Sequence, residues 1–177
     1  MSRAFLKNES ADDPVVIPAR APLPPGATNY VTPRGLALLR AELAELEAER
    51  AHVQVHTSDE ADRTRQLAEL NGRIGALNQR IASAHVVDHA NQDPAADPLV
   101  RFGATVTLRT RSSRTAGNTE RRFTIVGVDE ADAGNGRIAF TAPIARAMQG
   151  KRVGDTITLR TARGEDVMEI TAINYAD

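Results

Sequence analysis

The stretch Thr32-Pro-Arg-Gly-Leu-Ala-Leu-Leu-Arg-Ala-Glu-Leu-Ala-Glu-Leu46 and its later counterpart Leu67-Ala-Glu-Leu-Asn-Gly-Arg-Ile-Gly-Ala-Leu-Asn-Gln-Arg-Ile81 decide the fold. In the first, Thr32 offers an oxygen to cap a helix, and Pro33 falls at the first helical position, where its missing N–H costs nothing. Leu36, Leu39, Leu43, Leu46 and Val53 then alternate steps of three and four, with Arg50 in the skipped slot. Ala and Glu, both strong helix formers, fill the gaps. In the second stretch Leu67, Leu70, Ile74, Leu77 and Ile81 repeat the same alternation. Neither stripe can be buried alone in water, so each helix needs the other. A polar turn joins them, which predicts an antiparallel helical hairpin. A first arm of about 25 residues is ~38 Å long, so the hairpin projects unless another part of the chain covers it.

Outward from the hairpin the pattern changes. His89-Ala-Asn-Gln-Asp-Pro-Ala-Ala-Asp-Pro98 carries two prolines and no apolar stripe, and reads as a linker. After it the period becomes two: Ala104–Arg109, Arg122–Val126, Asp155–Leu159 and Val167–Ile173 alternate like half-buried strands, with a shorter strand at Arg137–Phe140. Pro143–Met148 reads as a short helix closed by Gly150. The expected class is α+β, a helical hairpin followed by an antiparallel-sheet domain. The expected organisation is a Pro-rich tail at 1–29, the coiled coil at 30–88, the linker at 89–98 and the sheet domain at 99–177. The tail, with Pro18-Ala-Arg-Ala-Pro-Leu-Pro-Pro-Gly26 at its heart, is expected to be extended and flexible, either mobile or lying loosely on the rest of the protein.

Composition narrows the chemistry. The 177 residues carry a formal net charge of −1 and only 3% aromatics, with no Trp. A protein that docks mainly on nucleic acid would carry a basic surplus, and base stacking or a large ligand pocket would call for aromatic side chains. There are no cysteines, hence no disulfide and no thiolate metal site, which suits a reducing cytoplasm. No run of 18 apolar residues occurs, so no membrane span is expected. The opening Met1–Asp13 turns acidic before any apolar core, unlike a signal peptide.

Three groups of side chains could carry chemistry. Asp59, Glu60 and Asp62 cluster at the turn between the helices, where Thr57-x-x-Glu60 also reads as a capping box. His52 and His56, and likewise His85 and His89, stand four apart, a helical spacing that can bind zinc; no thiolate is at hand, so solvated helix ends are the simpler reading. Arg109, Arg111, Arg114, Arg121 and Arg122 flank a turn at 112–119, as RNA or DNA contacts or as charges that blunt an edge hairpin.

The ordered set Phe102-Gly-Ala-Thr-Val-Thr107, Phe123-Thr-Ile-Val-Gly-Val-Asp-Glu-Ala-Asp132, Ala142-Pro-Ile-Ala-Arg-Ala147, Gly150-Lys-Arg-Val-Gly-Asp155 and Ile173-Asn-Tyr175 resembles the C-terminal domain of the GreA/GreB transcript-cleavage factors. Upstream, Thr32–Leu43 and Ala84-His-Val-Val-Asp88 resemble the entry and exit of that family's coiled coil. The resemblance implies an FKBP-like C-terminal domain that binds bacterial RNA polymerase at the rim of its secondary channel. It implies a coil that reaches the active site and the nascent RNA 3′ end. Acidic tip residues would there help hold a Mg²⁺ ion shared with the polymerase, with no tightly bound cofactor. On this reading the protein is a cytoplasmic monomer, stimulates the polymerase's own cleavage and is not itself an enzyme.

Carried over by position, Asp59 and Glu60 are the Mg²⁺-assisting tip residues, with Asp62 beside them. Asp129, Glu130, Asp132, Pro143, Ile144 and Arg146 are the polymerase-docking candidates, and Ile144 and Met148 read equally well as core. The family's tip reads roughly Gly-Asp-x-x-Glu-Asn-Ala, whereas this chain has Val55-His-Thr-Ser-Asp-Glu-Ala-Asp62. Asp59 stands at the family's Glu, His56 at its Asp, and the first arm is shorter. The alternative function is therefore a non-cleaving competitor for the channel, as in the short-coiled Rnk-like regulators. A prolyl isomerase is a third reading, and an FKBP-like domain offering only Phe102, Phe123, Phe140 and Tyr175 argues against it.

Overall fold

A computed structural model describes residues 20–89, 98–111, 119–161 and 164–175. Two long helices, α1 (Pro33–His56) and α2 (Glu60–Ala82), form the expected hairpin. Thr32 caps α1 by accepting the Gly35 N–H at 2.8 Å, with Pro33 in the first turn. Leu39, Leu46 and Val53 of α1 close on Leu70, Ile74 and Leu77 of α2, with Leu36, Leu43, Leu67 and Ile81 partly buried beside them. Arg50 occupies its seam slot half-buried and donates to Asn71 Oδ1 at 3.3 Å.

The cap of α2 differs from the expected box. Asp59, not Thr57, is the N-cap, accepting the Asp62 N–H at 2.8 Å. Helix α2 therefore starts later than the Thr57 reading assumed, because α1 runs on to His56 and Thr57 serves as its C-cap.

The hairpin is tied off at its base by two short parallel strands, β1 (Asn29–Val31) and β2 (Ala84–Val86). Asn29, 3% exposed, donates to the carbonyl of Arg80 at 2.9 Å and to Ser83 Oγ at 3.1 Å, filling acceptors left over at the end of α2. Described residues of the expected tail lie on the molecule: Arg20 pairs with Glu42 and with Asp129.

The second half is a five-stranded sheet. Its strands are β3 (Thr105–Thr110), β4 (Glu120–Val126), β5 (Arg137–Ala139), β6 (Thr156–Thr161) and β7 (Gly164–Asn174), in the order β5-β4-β3-β7-β6. The class is as expected, but the sheet is mixed: β4 and β5 run parallel. A parallel pair needs a crossover, not a tight turn, and the segment 127–136 supplies it. Gly136, at φ 70°, closes a 3₁₀ turn within that crossover. Helix α3 (Pro143–Met148) covers the sheet, with Ala145 and Met148 in a core of Val100, Val106, Leu108, Ile125 and Ile170. Met148 is fully buried, which places it in the core and not on a docking face. Among the described residues no helix is long and apolar enough to cross a membrane.

Candidate functional site

The far end of the hairpin gathers the three tip carboxylates. Asp59 is exposed, and its Oδ1 is engaged in capping α2. Glu60 is exposed and lies 3.0 Å from Arg63, and Asp62 pairs with Arg65. Arg63 also donates to the carbonyl of Thr57 at 3.3 Å, which draws the turn together. Val55, near the end of α1, is 77% exposed. His52 and His56 lie on α1 with rings stacked at 4.2 Å, and His56 Nδ1 is 3.1 Å from the His52 carbonyl. No group of three or more potential ligands that could hold a metal ion exists among the described residues. His85 and His89 are not a helical pair: His85 is on β2, and His89 follows that strand with its Nε2 2.6 Å from the Phe102 carbonyl.

The base of the hairpin is where the structure brings together residues that the sequence left apart. The Glu130 carboxylate, with 4% of its side chain exposed, accepts a hydrogen bond from Thr32 Oγ1 and another from Arg34 at 2.8 Å. Asp129 receives Arg20 at 2.8 Å and faces Arg80 at 3.4 Å. Arg20 is held more firmly protonated than usual: burial opposes its charge, and the carboxylates of Glu42 and Asp129 outweigh that. Tyr30 lies 5.7 Å, ring to ring, from both Phe102 and Phe140, which are 5.8 Å from each other. Gly127 admits the β1 backbone, since a β-carbon there would lie 2.7 Å from the Tyr30 carbonyl oxygen. Asp129 and Glu130, docking candidates by position, thus serve as struts between sheet and hairpin. The signals for this joint were faint: Gly35 in the first turn of a helix, and a lone Arg20 among prolines.

The remaining docking candidates sit on the sheet half. Asp132 accepts from Asn135 Nδ2 at 2.6 Å, and that hydrogen bond, ahead of the Arg137 charge, holds its carboxyl below the usual range. Pro143 and Arg146 are exposed, and Ile144 is partly buried against the core. Of the arginine group, Arg109 pairs with Glu120 at 3.2 Å and Arg111 with Glu169 at 3.0 Å, while Arg121 and Arg122 are exposed. Arg114 lies outside the described residues.

A two-helix hairpin joined at its base to a mixed sheet, with carboxylates at its turn, defines a class in which a rod is held by a globular anchor. The family model "Transcription elongation factor, GreA/GreB, C-term" matches residues 95–175. The chain is 34% identical over 162 residues to the transcription elongation factor GreA of Ralstonia nicotianae, covering 84% of this chain and 99% of that protein. It is 36% identical over 164 residues to the transcription elongation factor GreB of Xanthomonas axonopodis pv. citri, covering 85% and 93%. This chain belongs to the GreA/GreB family of transcription elongation factors. Among solved structures, GreA/GreB from Nitrosomonas europaea aligns with TM-score 0.40 at 23% identity, covering 84% of this chain and 99% of that one. GreA factor homolog 1 of Thermus thermophilus aligns with TM-score 0.38 at 18% identity, with the same coverages.

Proposed function

We propose that this chain acts on bacterial RNA polymerase. Its sheet half docks at the rim of the secondary channel, and its hairpin carries Asp59, Glu60 and Asp62 toward the active site to support cleavage of backtracked RNA. The observation that carries this reading is the position of the acids, at the free turn of a rod some ~35 Å long whose other end is clamped to the sheet by Thr32, Arg34 and Glu130. Mg²⁺ shared with the polymerase would supply Lewis-acid activation of a water. The chain's own part is to lend oxygens: capping occupies Oδ1 of Asp59 and leaves Oδ2, and Glu60 stands exposed beside it. Asp132, Pro143, Ile144 and Arg146 are the docking residues on this reading, while Asp129 and Glu130 set the pitch of the rod. The compartment is the cytoplasm, where the polymerase works.

A second reading, a non-cleaving competitor for the channel, is favoured by the partners that the tip acids already have, and by His56 at a family acid position. One assay separates the two. Stalled, backtracked elongation complexes are mixed with the protein and Mg²⁺. Release of short 3′ RNA supports the first reading. Intact transcript with tight polymerase binding transfers support to the second, and absence of polymerase binding sinks both.

A further inference from the structure

A cleft of about 750 Å³ opens between the base of the hairpin and the sheet. Its volume lies within the range of small-ligand sites, roughly 300–1,000 Å³. Its walls include Arg34 of α1, Arg122 of β4, Arg137 of β5, His89 after β2 and Tyr175 after β7. It is distinct from the tip and from the exposed face of α3.

The lining is polarised. At one pole Arg122 and Arg137 are neighbours: Arg137 pairs with Thr124, two residues beyond Arg122 on β4, and a β-carbon on Gly136 would fall 2.7 Å from the Arg122 carbonyl oxygen. At the other pole the rings of His89 and Tyr175 are 4.7 Å apart, and His89 lies so close over Gly103 that a β-carbon there would meet the ring at 2.5 Å.

One nitrogen on each of two lining side chains also lacks a hydrogen bond. Arg137 Nε and His89 Nδ1 are buried without a hydrogen bond. Native structures leave few such groups, and each calls for an explanation. The ion pair between Arg137 and Asp132 is long, at 3.7 Å. A carbonyl oxygen can only accept, so His89 Nε2, 2.6 Å from that of Phe102, carries the proton. Asp88 and Glu130 also line the cleft, Glu130 taken up by Thr32 and Arg34, and the guanidinium groups of Arg34, Arg122 and Arg137 outnumber these carboxylates.

We infer that this cleft binds a phosphorylated nucleoside, with its phosphates against Arg122 and Arg137 and its sugar or base beside His89 and Tyr175. The planar guanidinium fork matches phosphate oxygens, and the ring pole supplies an aromatic face. The site is independent of the action proposed on polymerase and is tested without it.

Isothermal titration of the full chain with GTP and with ATP, in metal-free buffer, is the direct measurement, with sodium tripolyphosphate as comparator. Saturable binding of at least one nucleotide is expected, weaker by about tenfold or more in Arg122→Gln, which removes a charge-assisted contact. Arg160→Gln, on exposed β6, should bind as the parent does. The inference is overturned by the absence of saturable heat with either nucleotide, by tripolyphosphate binding as tightly as the nucleotide, or by unchanged binding in Arg122→Gln.

Discussion

A β-carbon placed on Gly35 would lie 2.8 Å from Oε2 of Glu130. That oxygen also takes the Thr32 hydroxyl, so the first turn of α1 and the loop after β4 are fitted to each other at one point. The contact joins residues almost a hundred positions apart and fixes how the rod leaves its anchor.

Glu130→Ala should therefore loosen the joint more than a surface substitution would. Hydrogen bonds to a charged group contribute about 1.5–3 kcal/mol each. Arg34, 52% exposed, regains water and lowers the net cost. A loss of about 2 kcal/mol is expected in urea unfolding, with faster hydrogen exchange in the first turn of α1. Gly35→Ala should destabilise the parent but stabilise the Glu130→Ala background, where the clash is gone and the helix propensity of Ala, worth up to about 1 kcal/mol over Gly, is realised. Additive effects of the two changes would count against the close fit.

At the tip, Asp59 has a structural duty that can be separated from a chemical one. Asp59→Ala removes the α2 N-cap and should cost about 1 kcal/mol. Asp59→Asn keeps a good cap and removes the charge, so its melting temperature should stay near that of the parent. Transcript cleavage, if supported by the carboxylate, should fall in both variants. A fully active Asp59→Asn would show that the charge has no part in it.

Arg50 breaks an otherwise apolar seam. Arg50→Leu should extend the stripe between Leu46 and Val53 and raise stability by about 1 kcal/mol, less than full burial of a Leu side chain gives, since Asn71 loses its partner. Thermal unfolding checks this. A lower midpoint would mean that the Arg50–Asn71 pair matters more than apolar contact.

Tyr175 carries a pH dependence of definite sign. Burial pushes its phenol above the usual tyrosine value, although the Arg101 N–H, 2.9 Å from the hydroxyl, acts the other way. The folded chain then keeps a proton that the unfolded chain releases, so stability falls as pH rises through and beyond the ordinary tyrosine range. In Tyr175→Phe that alkaline decline should be shallower. The same variant should lose about 1–2 kcal/mol at neutral pH, because the hydroxyl also donates to the Leu99 carbonyl. Parallel unfolding curves at neutral and alkaline pH provide the measurement.

The sequence by itself determined the parts whose physics is local. Steps of three and four from Leu36 to Val53 and from Leu67 to Ile81 are the helical period itself, and Thr32-Pro33 and Pro143 mark starts through backbone geometry alone. Alternation at Ala104–Arg109 and Val167–Ile173 likewise announces strands. The acids at Asp59, Glu60 and Asp62 were legible as a tip because a hairpin must turn somewhere. Only the tertiary structure decided that Asp59 caps α2, that β5 runs parallel to β4, and that Asp129 and Glu130 grip Arg20, Thr32 and Arg34. It alone brought Arg122, Arg137, His89 and Tyr175 around one cleft. These pairings join positions far apart in the chain, where no periodicity links the partners and a charged residue looks the same whether it ends in solvent or inside a joint.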